Sequence, residues 1–77
     1  MNRVAYKGYI IDAEPSQLAD GSRWTINITI ERHDGGSVIA RSFNAANAFE
    51  TKDETVQHCI NFGYQIIDGK IAGCTPP

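Results

Sequence analysis

With 77 residues, seven Lys and Arg against nine Asp and Glu, and a formal net charge of −2, the chain has room for one domain and little room for a deep, dry active site. A chain of this size buries roughly 60–65% of the surface its unfolded form exposes, so its core alone supplies about 3–5 kcal/mol. The basic residues are scattered, which excludes a basic arm of the nucleic-acid-binding kind, and no stretch approaches the ~20 apolar residues that span a bilayer.

The opening residues lack the apolar run of a secretory peptide, so the expectation is a cytoplasmic protein with no membrane partner. Cys59 and Cys74 are then expected to be thiols rather than a disulfide.

Tyr6 to Ala13 reads as the first strand on its aromatic and β-branched content. Tyr6 and Ile10 are expected inward because Lys7 must then meet water, with Gly8 marking a bulge or a close crossing. Glu14 to Ser22 reads as a loop, with Pro15 unable to donate to a ladder and Asp20-Gly21 forming a turn.

Trp24 to Arg32 alternates without a slip and is expected to be the central strand. Trp24, Ile26, Ile28 and Ile30 fall on one side; Thr25, Asn27, Thr29 and Glu31 fall on the other. One face is therefore buried and the other wet. Asp34-Gly35-Gly36 supplies the positive φ values of a tight hairpin, and Ser37 to Phe43 follows as the third strand. Its facing is ambiguous: Val38 and Ala40 are taken inward, against the set Ile39, Arg41 and Phe43. Asn44 to Ala48 reads as a connector of small residues, and Phe49 as a plug at the end of the core.

Thr51-Lys52-Asp53-Glu54 is a capping box. Beyond it, Val56, Cys59, Ile60, Phe62, Gly63, Ile66 and Ile67 fall within an arc of about 160° on a helical wheel. The helix is expected from Lys52 to about Asp68, with Gly69 as its left-handed stop. A second possibility ends it at Phe62, caps it with Gly63 and makes Tyr64 to Ile67 a short strand. Gly63 lies mid-arc, where its missing side chain lets the helix approach the sheet or makes room for Trp24; Trp24 is expected to pack against the helix near it. Ile71 to Pro77 reads as a frayed tail, leaving an ordered core of about residues 4–70.

The expected fold is α+β: a three-stranded antiparallel sheet packed on one C-terminal helix, in the order β-β-β-α. Its expected core is Tyr6, Ile10, Trp24, Ile26, Ile28, Ile30, Val38, Ala40, Phe49, Val56, Cys59, Ile60, Gly63 and Ile67. Tyr6-Lys7-Gly8-Tyr9, Trp24, Phe49 to Glu54 and Ile66 to Gly69 together resemble a group of small bacterial proteins, a domain of unknown function with this same architecture. The resemblance covers Tyr6 to Gly69 and implies a fold but no activity, so no functional residue carries over. A looser likeness links the element order to three-stranded DNA-binding domains of the plant AP2 type and the integrase N-terminal type. Those present Arg and Trp outward, where this central strand presents Thr25, Asn27, Thr29 and Glu31.

Chemistry finds little purchase in the sequence. His33, His58, Cys59 and Cys74 lack zinc-ligand spacing, and His58 and Cys59 diverge by about 100° on the helix. Cys59 lies in the apolar arc and Cys74 in the tail, so neither has an activating setting. No pair of carboxylates converges, and Gly35-Gly36 leads into a strand rather than a phosphate-binding helix. The expectation is a non-catalytic module without cofactor or metal. It would interact through its open sheet face or an edge, with another protein or a second copy. The candidate face is Lys7, Tyr9, Ile11, Arg23, Thr25, Asn27, Thr29 and Arg41; nucleic acid is the alternative partner for the same surface.

Overall fold

The computed structural model describes residues 2–77. Its architecture is an antiparallel sheet covered on one face by a C-terminal helix, and the sheet has five strands rather than three. They are β1 (Arg3–Tyr6), β2 (Tyr9–Ala13), β3 (Ser16–Gln17), β4 (Trp24–Asp34) and β5 (Ser37–Phe49), followed by α1 (Lys52–Ile67).

The central position of β4 is as expected, and its apolar side is buried. Ile28 and Ile30 are fully enclosed and Ile26 nearly so. One edge of β4 pairs with β2 and then, end to end with it, β3; the other edge pairs with β5 along the full length of β4.

The expected first strand is in fact a hairpin. Lys7 and Gly8 both adopt positive φ (48° and 85°), the pair a two-residue turn requires, and Tyr6 faces Tyr9 across it. Tyr6 packs against the core as expected, but Ile10 does not. Tyr6 and Ile10 lie on different strands, so their sequence spacing says nothing about a shared face. Ile11 opposes Ile30 and is fully buried, whereas Ile10 opposes Glu31 on the far side. Gly8 marks a turn, not a bulge.

The segment expected as a loop, Glu14 to Ser22, resumes pairing after Pro15. Ser16 opposes Thr25 and Gln17 opposes Trp24. The remaining turn closes on Leu18 N–H to the Arg23 carbonyl (2.8 Å), with Asp20 Oδ1 accepting from Ser22 N–H and Ser22 Oγ. Those bonds hold the Asp20 carboxyl below its ordinary range.

Strand β5 also exceeds expectation, absorbing the connector Asn44 to Ala48. Between Thr25 and Ile26 the register shifts, because Ala46 and Asn47 are extra on the β5 side. Its facing is the reverse of the one taken. Phe43 opposes the buried Ile28 and Ile39 opposes Arg32, on the helix side; Val38 opposes His33 and Ala40 opposes Glu31, on the open side. Val38 and Ala40 therefore leave the core.

Helix α1 begins where the capping box placed it: Thr51 Oγ1 accepts from Glu54 N–H at 3.1 Å. It runs past Phe62 and ends at Ile67, so Tyr64 to Ile67 is helical. Gly69 (φ 74°) donates to the Ile66 carbonyl and Lys70 to that of Gln65, a Schellman stop. Thr55, Cys59, Gly63 and Ile66 form the buried stripe. Gly63 meets Ile11, not Trp24. Trp24 lies at the other end of the helix, beside Phe49 and under the Lys52 ammonium, 5.6 Å from the ring centroid. The tail is not loose either: Ile71 and Cys74 pack on the core, and Arg41 Nη1 donates to the Thr75 carbonyl at 2.7 Å.

Candidate interaction surfaces

The two-residue turn at Lys7-Gly8 fixes which residues can form a surface together. It puts Tyr9 and Ile11 in phase with Ile30 on the helix side, so two residues of the expected face are lost to the interior. Ile11 is fully buried and Tyr9 packs against the core. Arg41, opposite Ile30, is also on the helix side. Lys7 stands in the turn with its ammonium 2.7 Å from Asp68 Oδ1, and Arg23 is exposed in the β3–β4 turn. Thr25, Asn27 and Thr29 do share the open face, as expected.

That open face is lined with short polar side chains tied to one another. Arg3 reaches Asp12 (2.9 Å) and Glu31 (3.2 Å), and His33 Nε2 lies 3.1 Å from the same Glu31 oxygen. Thr29 donates to Glu14 at 2.8 Å. Arg3 and then His33 hold the Glu31 carboxyl below its ordinary range, while Glu31 and Asp12 raise Arg3. Arg3, Asp12, Glu31 and His33 are thus engaged with one another, and Glu14 with Thr29.

All seven aromatic residues lie on the helix side or at its ends. Six pack against the core, and the seventh, Trp24, pairs with Phe49. The open face therefore carries no aromatic ring, and its carboxylates Asp12, Glu14 and Glu31 outnumber its cations.

At the helix C-terminus, Tyr6 Oη donates to both Asp68 oxygens (2.9 and 3.0 Å), and its ring leans on Tyr64 with centroids 4.5 Å apart. Lys7 first and Tyr6 second hold the Asp68 carboxyl below its ordinary range, and Asp68 in turn raises Lys7. The cluster fastens the β1–β2 hairpin to α1.

The other titratable side chains do not assemble. Among the described residues no three His, Cys, Asp or Glu stand together as metal ligands. His58 stacks on Phe49 (3.9 Å, 8° between planes) while His33 is on the opposite face. The Cys59 thiol is enclosed beside the Asn27 carbonyl, and burial pushes its pKa up, away from reactivity. Shallow grooves on the described surface include two beside β5. One of ≈ 440 Å³ lies by the bulge between Leu18, Thr25 and Ala46; the other, ≈ 390 Å³, lies between β5 and α1 over Phe49 and Phe62. Neither gathers a set of reactive groups. No described helix is long and apolar enough to cross a membrane.

The feature that sequence reasoning underrated is the outer edge of β5. Gly35 and Gly36 (φ 55° and 95°) form another two-residue turn, closed by Asp34 and Ser37. Residues flanking such a turn exchange both hydrogen bonds, and alternation then carries along the ladder. Ser37, Ile39, Arg41, Phe43 and Ala45 thus bond to β4. Val38, Ala40, Ser42 and Asn44 aim their N–H and C=O groups outward, and among the described residues no strand pairs with them. The same strand exposes Val38 (56%) and Ile39 (40%), and Arg41 is its one charge. The opposite edge, β1, has four residues. The signal for the β5 edge was present in the low charge of Ser37 to Phe49, but reading Asn44 to Ala48 as a connector hid the strand's length.

Fold and surface together define a small α+β domain with one open sheet face and one long free edge. No protein-family model matches the chain, and no curated protein or solved structure is significantly similar to it.

Proposed function

We propose that this domain is a non-catalytic protein-interaction module that takes up a partner strand along the outer edge of β5. The observation that carries the reading is the edge itself: thirteen residues with one charge, no proline and no lysine. Natural edge strands are commonly blunted by such residues or kept short, as β1 is here. Strand addition draws affinity from main-chain hydrogen bonds and specificity from alternate side chains. A strand added beside Val38, Ala40, Ser42 and Asn44 would extend the open face that carries Thr25, Asn27 and Thr29. The partner would then read small polar groups on one side and Ile39 and Phe43 on the other.

The test is capture from nuclease-treated lysate by the immobilised wild type, by Ser42→Pro and by Ala5→Pro. Proline at 42 deletes an outward N–H without touching the β4 ladder; proline at 5 does the same at the β1 edge. Partners lost with Ser42→Pro and kept with Ala5→Pro are expected. Equal retention by both variants would overturn the proposal.

A further inference from the structure

We infer that the strand taken up by the β5 edge is the β5 strand of a second copy, running antiparallel with Ser42 on the two-fold axis. The inference rests on the strand-addition reading above and names its partner.

Charge and side-chain fit select both the partner and the register. Each copy brings one charge to the seam, Arg41, so self-pairing must keep the two guanidiniums apart and set each beside a group that receives a cation. An antiparallel self-pairing keeps outward residues opposite outward residues, so registers differ by steps of two. The register centred on Arg41 sets Arg41 directly against its own copy, a like-charge pair that destabilises a ladder. The register centred on Ala40 runs Asn44 into the turn at Gly36 and leaves Phe43 at the end of the seam.

Centring on Ser42 avoids both problems. On the helix side it sets Arg41 beside the second copy's Phe43, within reach of a cation–π contact, and Ile39 against the second copy's Ala45. On the open side, Ala40 meets Asn44 and Ser42 meets Ser42, all small enough for close approach. The paired stretch, residues 39–45, spans about 24 Å and closes about six backbone hydrogen bonds. It stops where the bulge at Ala46 and Asn47 breaks the regular ladder.

A strand seam alone is small beside the roughly 1,200 Å² of a stable interface. The additional area comes from the helix side, where Ile39 and Phe43 of both copies form the seam's floor. A two-fold perpendicular to the sheet puts both helices on that same side. The product is one continuous sheet whose outer edges are the short β1 and β3 strands.

Light scattering over a concentration series, at low and high salt, is the first measurement. The expected result is a dimer that persists in high salt, since backbone bonds and apolar contacts hold it. A monomer up to the solubility limit would overturn the inference. Single cysteines at 40, 42 and 44, introduced in a Cys74→Ser background and oxidised, read the register. Cross-linking fastest at 42 is expected; equal rates at 40 and 42, or a maximum at 40, would overturn the stated register. Ser42→Pro should be monomeric. Should that variant fail to fold, Ile39→Lys, which alters an exposed side chain, should shift the dimer toward monomer by at least tenfold in dissociation constant. A persistent monomer whose lysate partners still vanish with Ser42→Pro would sink self-pairing alone. A dimer unaffected by Ser42→Pro and Ile39→Lys would sink strand addition at this edge as well.

Discussion

Gly63 of α1 lies directly against Ile11 of β2. A Cβ placed on residue 63 would stand 2.7 Å from Ile11 Cγ2 and 2.8 Å from its Cδ1. The helix therefore approaches the sheet at the distance a glycine permits, and Ile11 fills the space a side chain would have taken. Both residues are buried, so neither can swing into solvent.

Two effects compete when Gly63 becomes Ala. Helix propensity gains about 1 kcal/mol. Overpacking against a stiff β-branched side chain costs about 1–3 kcal/mol. The Cγ2 contact is too short to be absorbed by rotating a flexible end, so the cost wins. Gly63→Ala should lower stability by about 1 kcal/mol in urea unfolding, and Gly63→Leu by more. Adding Ile11→Val, which removes Cδ1, should recover part of the loss. A Gly63→Ala protein more stable than wild type would show that the two elements are not in contact.

The same pair shows where the sequence was legible. The arc of Cys59, Gly63 and Ile66, the Thr51 cap and the Gly69 stop are local patterns, and each is where periodicity and turn chemistry put it. The alternation of Trp24 to Arg32 was equally plain, because one strand buried on one face leaves no choice of phase. What failed depended on a turn hidden inside an apparent strand. Lys7 and Gly8 reverse the chain in two residues, so Ile11 replaced Ile10 in the core and Trp24 lost the place beside Gly63. Lysine is an unusual first residue for such a turn, which concealed it. Val38 and Ile39 are both apolar and both exposed, so hydrophobicity could not choose the facing of β5. Of the candidate surface, Thr25, Asn27 and Thr29 were readable from one strand; the others needed the pairing of several.

Acid should loosen the fastening at Asp68. Lys7 and Tyr6 depress its carboxyl below the ordinary value of 3.8. A group depressed in the folded state contributes stability that is complete above its unfolded pKa and is lost as pH falls through the folded one. The wild type should therefore exceed Asp68→Asn in thermal midpoint at pH 6, and the gap should close below about pH 4. Lys7 is raised, so its share should fade only above its ordinary value of 10.5. A gap that stays constant from pH 6 to pH 2 would show that the carboxylate charge is not what holds the hairpin.

Thr55 is a buried polar residue in the helix stripe, fully enclosed, with Oγ1 donating to the Thr51 carbonyl at 2.7 Å. That carbonyl also accepts Thr55 N–H at 3.1 Å, so removing the hydroxyl orphans no acceptor. Thr55→Val keeps the volume and should change stability by less than about 1 kcal/mol. Thr55→Ala leaves a small void and should cost about 1–2 kcal/mol. Denaturant midpoints of the two variants at constant m decide it; equal losses of more than about 1 kcal/mol for Val and Ala would mean that the hydroxyl, not the packing, holds the position.

Among the described residues Lys7 is the one non-glycine residue at positive φ, and its ammonium is largely exposed despite the contact with Asp68. Exposed ion pairs contribute little, whereas the left-handed backbone penalises any residue with a branched or bulky Cβ environment and favours Asn. Lys7→Asn should accordingly raise the thermal midpoint by roughly 2–4 °C at neutral pH, because Asn-Gly suits this turn better than Lys-Gly. Lys7→Ala loses the charge and gains no tolerance for the turn, so its midpoint should fall. The comparison separates turn geometry from the ion pair: if Asn and Ala lower the midpoint equally, the Lys7–Asp68 contact outweighs the backbone, and the hairpin is held by charge rather than by its turn.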